Sequence, residues 1–215
     1  QQFNQFTISE SIYPSNTHIP FLKAIIEKSK ERTGQALMAT EVACLLGHRR
    51  ILRQIVKAAT NNEEHFLVLE SDSKILNFEL LKTYFEPISK QYDFFFWGAW
   101  EGNAKVKRSK GQLIEGKYTI GEPLLHTIYC TYGYSLNKPT AQYLLKQSAK
   151  ISTPFDIFKQ FVDPSKIRLG TITKEIITTW DEGSYIRNDK FWKRSKKSVF
   201  IFFLNIKNSI QAYFS

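Results

Sequence analysis

Sulfur is scarce in this sequence of 215 residues: two cysteines, Cys44 and Cys130, and a single methionine, Met38. Two cysteines build neither a disulfide framework nor a cysteine-rich zinc site, and they suit a reducing compartment. Long apolar runs are missing too. The longest, Val199 to Leu204, falls far short of the roughly 20 residues that span a bilayer. With 10 Gly and 7 Pro the chain is not fibrous or of low complexity. The start, Gln1-Gln2-Phe3-Asn4, has no basic stretch ahead of an apolar one, so it does not read as a signal peptide. It also lacks Met, which suggests a beginning inside a longer protein. No zinc-finger or RNP signature accompanies the basic residues, and nucleic acid is not expected as a partner.

What is present is a core and a positive charge. Hydrophobic residues make up 42% and aromatics 14% of the chain, too rich for a disordered one. Thirty Lys and Arg against 20 Asp and Glu leave a net charge of +10, which implies an anionic partner or surface. Much of that charge sits in Lys105 to Lys117 and in Arg187 to Lys197.

Hydrophobic spacing outlines alternating helices and strands. Ile19, Leu22, Ile25 and Ile26 share a face of a helix over His18 to Lys30, ended by Thr33-Gly34. A longer helix runs from Glu41 to Ala59, with Thr40 as its expected N-cap and Glu41 suited to the positive helix start. Phe6-Thr7-Ile8 reads as a short strand, and Phe66-Leu67-Val68-Leu69 as a strand buried on both faces. Phe78 to Lys90 is a helix bent or ended by Pro87, and Tyr92 to Ala99 a second buried strand. Asn103 to Lys117 is a basic loop or hairpin, Ile128 to Leu136 a third strand, and Lys138 to Ala149 a helix with Pro139 in its first turn. The alternation predicts an α/β domain with a central, mostly parallel sheet.

The strand ending in Glu70-Ser71-Asp72 is the most informative segment. In open α/β sheets, ligands bind beyond the carboxyl ends of the strands. Acids two positions apart in an extended chain point the same way. Paired carboxylates there suit a hard cation such as Mg2+ or Mn2+, which commonly bridges to a diphosphate. The competing reading is structural, with Asp72 capping a following helix and Ser71 in an ordinary turn.

Several segments, in order, resemble glycosyltransferase family 25, the bacterial lipooligosaccharide galactosyltransferases. Thr40-Glu41-Val42-Ala43-Cys44-Leu45-Leu46-Gly47-His48 stands where the family has Gly-Glu-(Ile/Val)-Gly-Cys and Ser-His. Leu67 to Asp72 stands where it has a hydrophobic strand ending Glu-Asp-Asp. Thr131-Tyr132-Gly133-Tyr134, followed by Ala141-Gln142-Tyr143-Leu144-Leu145, is similar to a later strand and helix. Pro154-Phe155-Asp156 resembles Pro-x-Asp, and Ser184-Tyr185-Ile186 a late Ser-x-Ile. The departures are Thr40, Ala43 and Gly47 in the first motif and Ser71 in the second. The family's opening strand and Arg-containing segment find no counterpart, and Phe6-Thr7-Ile8 resembles its second strand. The chain is therefore expected to lack the first strand-helix unit.

The resemblance implies a GT-A-like (Rossmann-like) nucleotide-sugar domain over residues 1–186 and a basic amphipathic tail over 187–215. The implied reaction is inverting, divalent-metal-dependent transfer of a hexose from a UDP-sugar to a lipid-linked lipooligosaccharide or lipopolysaccharide hydroxyl, with galactose the favoured sugar. The implied place is the cytoplasmic face of a bacterial inner membrane. Asp72 is the implied metal ligand, with Glu70 as second ligand or as an anchor for ribose or water. Glu41 and His48, with those two, are assigned to donor binding. Asp156 is assigned as the base that takes the acceptor proton, with Asp93 and Glu101 less favoured. Structural readings stand beside these: Asp156 as a helix N-cap, His48 as a satisfied core histidine, and Cys44 as a small buried residue. His126 is a further candidate metal ligand, and Trp97 and Trp100 are either sugar- or uracil-stacking rings or core. The runner-up for the whole chain is a degenerate, non-catalytic glycan- or nucleotide-binding module.

The tail reads in two ways. Arg187 to Lys197 holds six Lys or Arg and one acid, and Phe202, Phe203, Ile206, Ile210 and Phe214 then fall near one helical face. Such a segment lies in the plane of an anionic membrane surface, or it docks on its own domain.

Overall fold

The computed structural model describes residues 6–15, 17–98, 104–180 and 194–215, with the backbone alone for 194–203. In chain order the elements are α1 (Leu22–Thr33), α2 (Ala39–Ala58), β1 (His65–Leu69), β2 (Ser73–Ile75), α3 (Phe78–Gln91), β3 (Phe94–Phe96), β4 (Gln112–Ile114), β5 (Tyr118–Gly121), β6 (Gly133–Asn137), α4 (Lys138–Gln147), β7 (Leu169–Thr173), β8 (Ile177–Thr179) and α5 (Arg194–Tyr213). They form two compact units, Gln1–Phe66 with Leu136–Asp163 and Leu67–Ser135 with Pro164–Ser215.

The first unit is helical. α2 buries Val42, Ala43, Leu45, His48, Leu52 and Ile55, a row at helical spacing. Its N-cap is Met38 rather than Thr40. Glu41, at the third helical position, turns back so that its Oε2 accepts the Met38 amide N–H at 2.8 Å. α1 packs on α2 through Leu22, Ile25 and Ile26 against Val42 and Ala43, and ends at Gly34, whose φ of 77° only glycine adopts cheaply. α4 also packs on α2. Arg49 Nη1 donates to the Leu145 carbonyl and to Ser148 Oγ, both at 2.7 Å, and so satisfies the carboxyl end of α4. No strand forms at Phe6-Thr7-Ile8, where Phe6 and Ile8 are exposed; three residues without a partner strand hold no ladder.

The second unit holds a six-stranded sheet in the order β1-β6-β3-β7-β5-β4. β3 and β7 run parallel, whereas β5 is antiparallel to β7 and β4 to β5. β6 begins beside the carboxyl ends of two neighbours: Glu70 N–H donates to the Tyr132 carbonyl at 3.3 Å, and Trp97 N–H to that of Gly133 at 3.0 Å. It therefore runs against both. The expected mostly parallel sheet is corrected to a mostly antiparallel one, and a Rossmann-like parallel sheet is not what forms. The chain between β3 and β6 contains the β4–β5 hairpin instead of one crossover helix, so nothing forces β6 to enter parallel. β1 lies at the sheet edge, which leaves Leu69 exposed and corrects its reading as a doubly buried strand.

Phe94, Phe95, Phe96 and Trp97 form the centre of this unit, each at most 1% exposed. Phe85 from α3 stacks on Trp97 with centroids 5.9 Å apart, and Tyr134 meets Phe94 edge-on at 5.5 Å. Burying one such ring contributes about 1.5–3 kcal/mol. α3 starts at Asn77, whose side chain accepts the Leu80 amide, and runs through Pro87 without ending there.

α5 turns Asn208 and Ala212 inward. Asn208 Oδ1 lies 3.2 Å from His126 Nε2, and the Arg108 guanidinium lies 4.0 Å from the Tyr213 ring centroid. The later half of α5 thus docks on its own unit, and His126 serves that contact. The Arg187 to Lys193 stretch and the side chains of Arg194 to Lys197, Phe202 and Phe203 lie outside the described residues. No described helix is long and apolar enough to cross a membrane.

Candidate active site at a sheet edge

In the second unit the carboxyl ends of β1, β3 and β7 meet the start of β6. After β1 the chain makes a tight turn, with Ser73 N–H donating to the Glu70 carbonyl at 3.1 Å. The 70–72 segment is therefore not extended, and the expectation that Glu70 and Asp72 point the same way by strand alternation is corrected. Each acid has its own hydroxyl. Thr131 Oγ1 donates to half-buried Glu70, and Thr179 Oγ1 donates to exposed Asp72 Oδ2 at 3.0 Å. Asp72 caps no helix, since β2 follows it. Trp180 N–H closes the same corner on the Asp72 carbonyl at 3.0 Å.

A third acid joins them. Glu175 follows Lys174, whose φ of 57° is a left-handed turn at the end of β7. Glu175 Oε2 accepts the Tyr132 hydroxyl at 2.7 Å and its Oε1 accepts Thr178 Oγ1 at 2.9 Å. Burial holds the Tyr132 phenol far above its ordinary pKa, and Cys130 and Glu175 reinforce the shift, so Tyr132 stays a donor. Thr131 and Tyr132, adjacent in sequence, thus orient Glu70 and Glu175, while the Tyr132 carbonyl accepts Ser73 Oγ.

Glycine allows this approach. Trp97 carbonyl oxygen accepts the amides of Ile176 at 3.1 Å and Ile177 at 3.3 Å. A Cβ on Gly98 would lie 1.9 Å from the Ile177 carbonyl oxygen, so only glycine admits that backbone. At the rim, Trp180 is 54% exposed and Lys74 Nζ lies 4.3 Å from its ring centroid. The corner offers carboxylates, a cation and an aromatic face.

Glu41, His48 and Asp156 belong to the first unit, Glu70 and Asp72 to the second. The Glu41 carboxylate caps its own helix. His48 is buried and stacks on Phe155 at 4.6 Å and 7°, as a packed core ring does. Asp156 is half-buried in a turn closed by Ile157 N–H to the Pro154 carbonyl at 3.3 Å, and it caps no α-helix. Cys44 is half-buried and Cys130 buried, and neither forms a disulfide. Trp97 is core, its Nε1 donating to Ser135 Oγ at 2.9 Å. Asp93 holds Arg168 Nη2 at 2.6 Å near the amino ends of β3 and β7. The same end opens a cavity of about 480 Å3 lined by Tyr92, Asp93, Lys110, Glu122, Lys166 and Arg168, away from the acidic corner. Trp100 and Glu101 lie outside the described residues. Glu175, Tyr132, Thr131 and Thr179 were not foreseen as site residues; the alternation Leu169-Gly170-Thr171-Ile172-Thr173 marks the strand that leads to Glu175.

Comparison with known proteins adds the class. The sequence profile of glycosyltransferase family 25 (LPS biosynthesis protein) matches residues 1–159. That makes the chain a glycosyltransferase by lineage. It belongs to family 25, whose members act in lipopolysaccharide biosynthesis. The match takes in Glu41, His48, Glu70, Asp72 and Asp156 and ends before β7, so Glu175 and Trp180 lie beyond it. The searches of curated proteins and of solved structures returned no match.

Proposed function

We propose that the protein transfers a hexose, galactose in the favoured reading, from a UDP-sugar to a hydroxyl of a lipid-linked oligosaccharide, with inversion. The carrying observation is that Glu70, Asp72 and Glu175 follow strands of one sheet, each held by a hydroxyl donor, in a chain whose family is one of glycosyltransferases. The carboxylate oxygens of Asp72 and Glu70 suit Mg2+ or Mn2+, and Asp72 with Glu70 would hold the ion. Bound there, a divalent cation offsets the charge of a departing nucleotide diphosphate. Tyr132 and Thr131 keep Glu175 and Glu70 oriented before substrate arrives, so little reorganisation is needed. The exposed indole of Trp180 offers a face for a sugar or base ring, and Lys74 a charge for phosphate. Asp156 is proposed as the base that accepts the hydroxyl proton, with Glu41 and His48 serving donor binding. On this reading the protein works at the cytoplasmic face of a bacterial inner membrane, against an anionic lipid surface.

The test is UDP release from UDP-galactose and other UDP-hexoses with and without Mn2+, in wild type and Asp72→Asn. Metal-dependent release lost in the variant supports the transferase. A second reading is favoured by Ser71, which replaces the middle acid of the resembled motif. It is a domain that binds UDP-sugar without turnover. Tight UDP binding with no release, in the full chain, would establish that reading instead.

A further inference from the structure

The later half of α5 is turned inside out for a helix that packs only on its own unit. Its inward residues are Asn208 and Ala212, and the asparagine is satisfied by His126. Its outward residues are Ile206, Ile210, Tyr213 and Phe214, exposed by 42%, 55%, 57% and 83%. Positions 206, 210, 213 and 214 recur at spacings of four, three and one, which puts them on one stripe. An amphipathic helix normally buries that stripe and leaves the asparagine to water.

The stripe has a basic frame. Arg108 lies over the Tyr213 ring. Lys207 within the helix and Lys110 on the same 3-10 turn as Arg108 are both exposed. Ser109 Oγ donates to the Ser215 carbonyl at 2.5 Å, fixing that turn against the helix end. Leu113 on the following strand adds a further apolar side chain, 63% exposed.

We propose that this face of α5, with the Arg108–Lys110 turn, is the surface by which the protein lies on an anionic lipid bilayer. Ile206, Ile210 and Phe214 enter the boundary between headgroups and acyl chains, and Tyr213 sits at headgroup level. Arg108, Lys110 and Lys207 meet lipid phosphates. The charge decides the occupant. A second copy on this face would set one basic frame against another across a two-fold contact, in a chain of net charge +10. An anionic bilayer neutralises the same frame. The proposal deepens the membrane partner of the transferase reading, yet its test does not depend on sugar transfer.

Co-sedimentation of the full chain with phosphatidylcholine vesicles, with and without phosphatidylglycerol, measures it. Binding should appear with phosphatidylglycerol and weaken as salt rises. Ile210→Ser with Phe214→Ser should lower the partition coefficient about tenfold, and Arg108→Ala with Lys110→Ala should remove most of the preference for anionic lipid. Circular dichroism checks that each variant keeps its helix content. UDP release with a soluble acceptor should not change in either, which separates this surface from the transfer site. Three results would overturn the proposal: no wild-type binding to anionic vesicles, equal binding by the folded Ile210→Ser/Phe214→Ser variant, or a concentration-dependent dimer that the same variant dissolves. The last would assign the face to a second copy.

Discussion

Replacing Gly98 by alanine tests the construction of the acidic corner most directly. The added Cβ would stand 1.9 Å from the Ile177 carbonyl oxygen and 2.7 Å from Tyr132 Cε2. Ordinary contact begins at 3.4 Å, so the 176–177 backbone must retreat by about 1.5 Å, the difference between 3.4 and 1.9. Retreat breaks the bonds from the Ile176 and Ile177 amides to the Trp97 carbonyl, each contributing about 0.5–1.5 kcal/mol. Overpacking adds about 1–3 kcal/mol, so Gly98→Ala should destabilise the protein by about 2–6 kcal/mol. Glu175 and Thr178 move with the segment, and misplacement on this scale costs about a hundredfold in turnover. Urea unfolding reads the first effect and UDP release the second. Gly47→Ala on α2 is the control: outside its own helix backbone nothing lies within 4 Å of the added Cβ, and the change should stabilise by about 0.5–1 kcal/mol. A Gly98→Ala protein as stable and active as wild type would refute this account of the corner.

Further outcomes follow from single contacts. Tyr132 has its pKa raised above the ordinary 10.0, so above about pH 10 the unfolded chain ionises first. Its stabilising contribution is full below that pH and is lost as pH rises further. Tyr132→Phe should flatten part of the alkaline fall in urea midpoint, with a remainder from Tyr92, which burial also raises. Near neutral pH the same variant should lower turnover, because Glu175 loses the Tyr132 donor on its Oε2. Asp93→Ala should cost about 1 kcal/mol in urea unfolding, from its bonds to the Arg168 side chain and amide, and leave UDP release unchanged. Asn208→Leu should weaken the docking of α5 and raise hydrogen exchange in its last turns, since His126 loses its partner.

The helices were legible in the sequence because their signals are local. Val42, Leu45 and Leu52 repeat at helical spacing, and Pro139 beside Asn137 marks the start of α4. Pro87 was harder to read, because tertiary packing of Leu81, Phe85 and Ile88 carries α3 past it. Strand direction was not legible: buried runs such as Phe94 to Trp97 look alike in parallel and antiparallel sheets. The Glu70 to Asp72 segment was legible as the acidic end of a strand, but its geometry was not, since a four-residue turn replaces the extended chain. Glu175 escaped notice because its role depends on Tyr132, 43 positions away. The apolar row of α5 was visible, whereas its outward orientation depends on the contact between His126 and Asn208.

The start of β6 has a consequence for stability under stress. Thr131, Tyr132 and Gly133 tie the segments after β1, β3 and β7 to one another through adjacent residues. Lifting these three from the edge removes, in one event, the carbonyl partners of the Glu70 and Trp97 amides and the hydroxyl donors of Glu70 and Glu175. The corner should therefore open as one cooperative unit, at a lower free energy than the aromatic core formed by Phe94 to Trp97. Hydrogen exchange at Glu70 and Trp97 should then share one rate, and on heating the protein should lose catalytic competence before its helices melt.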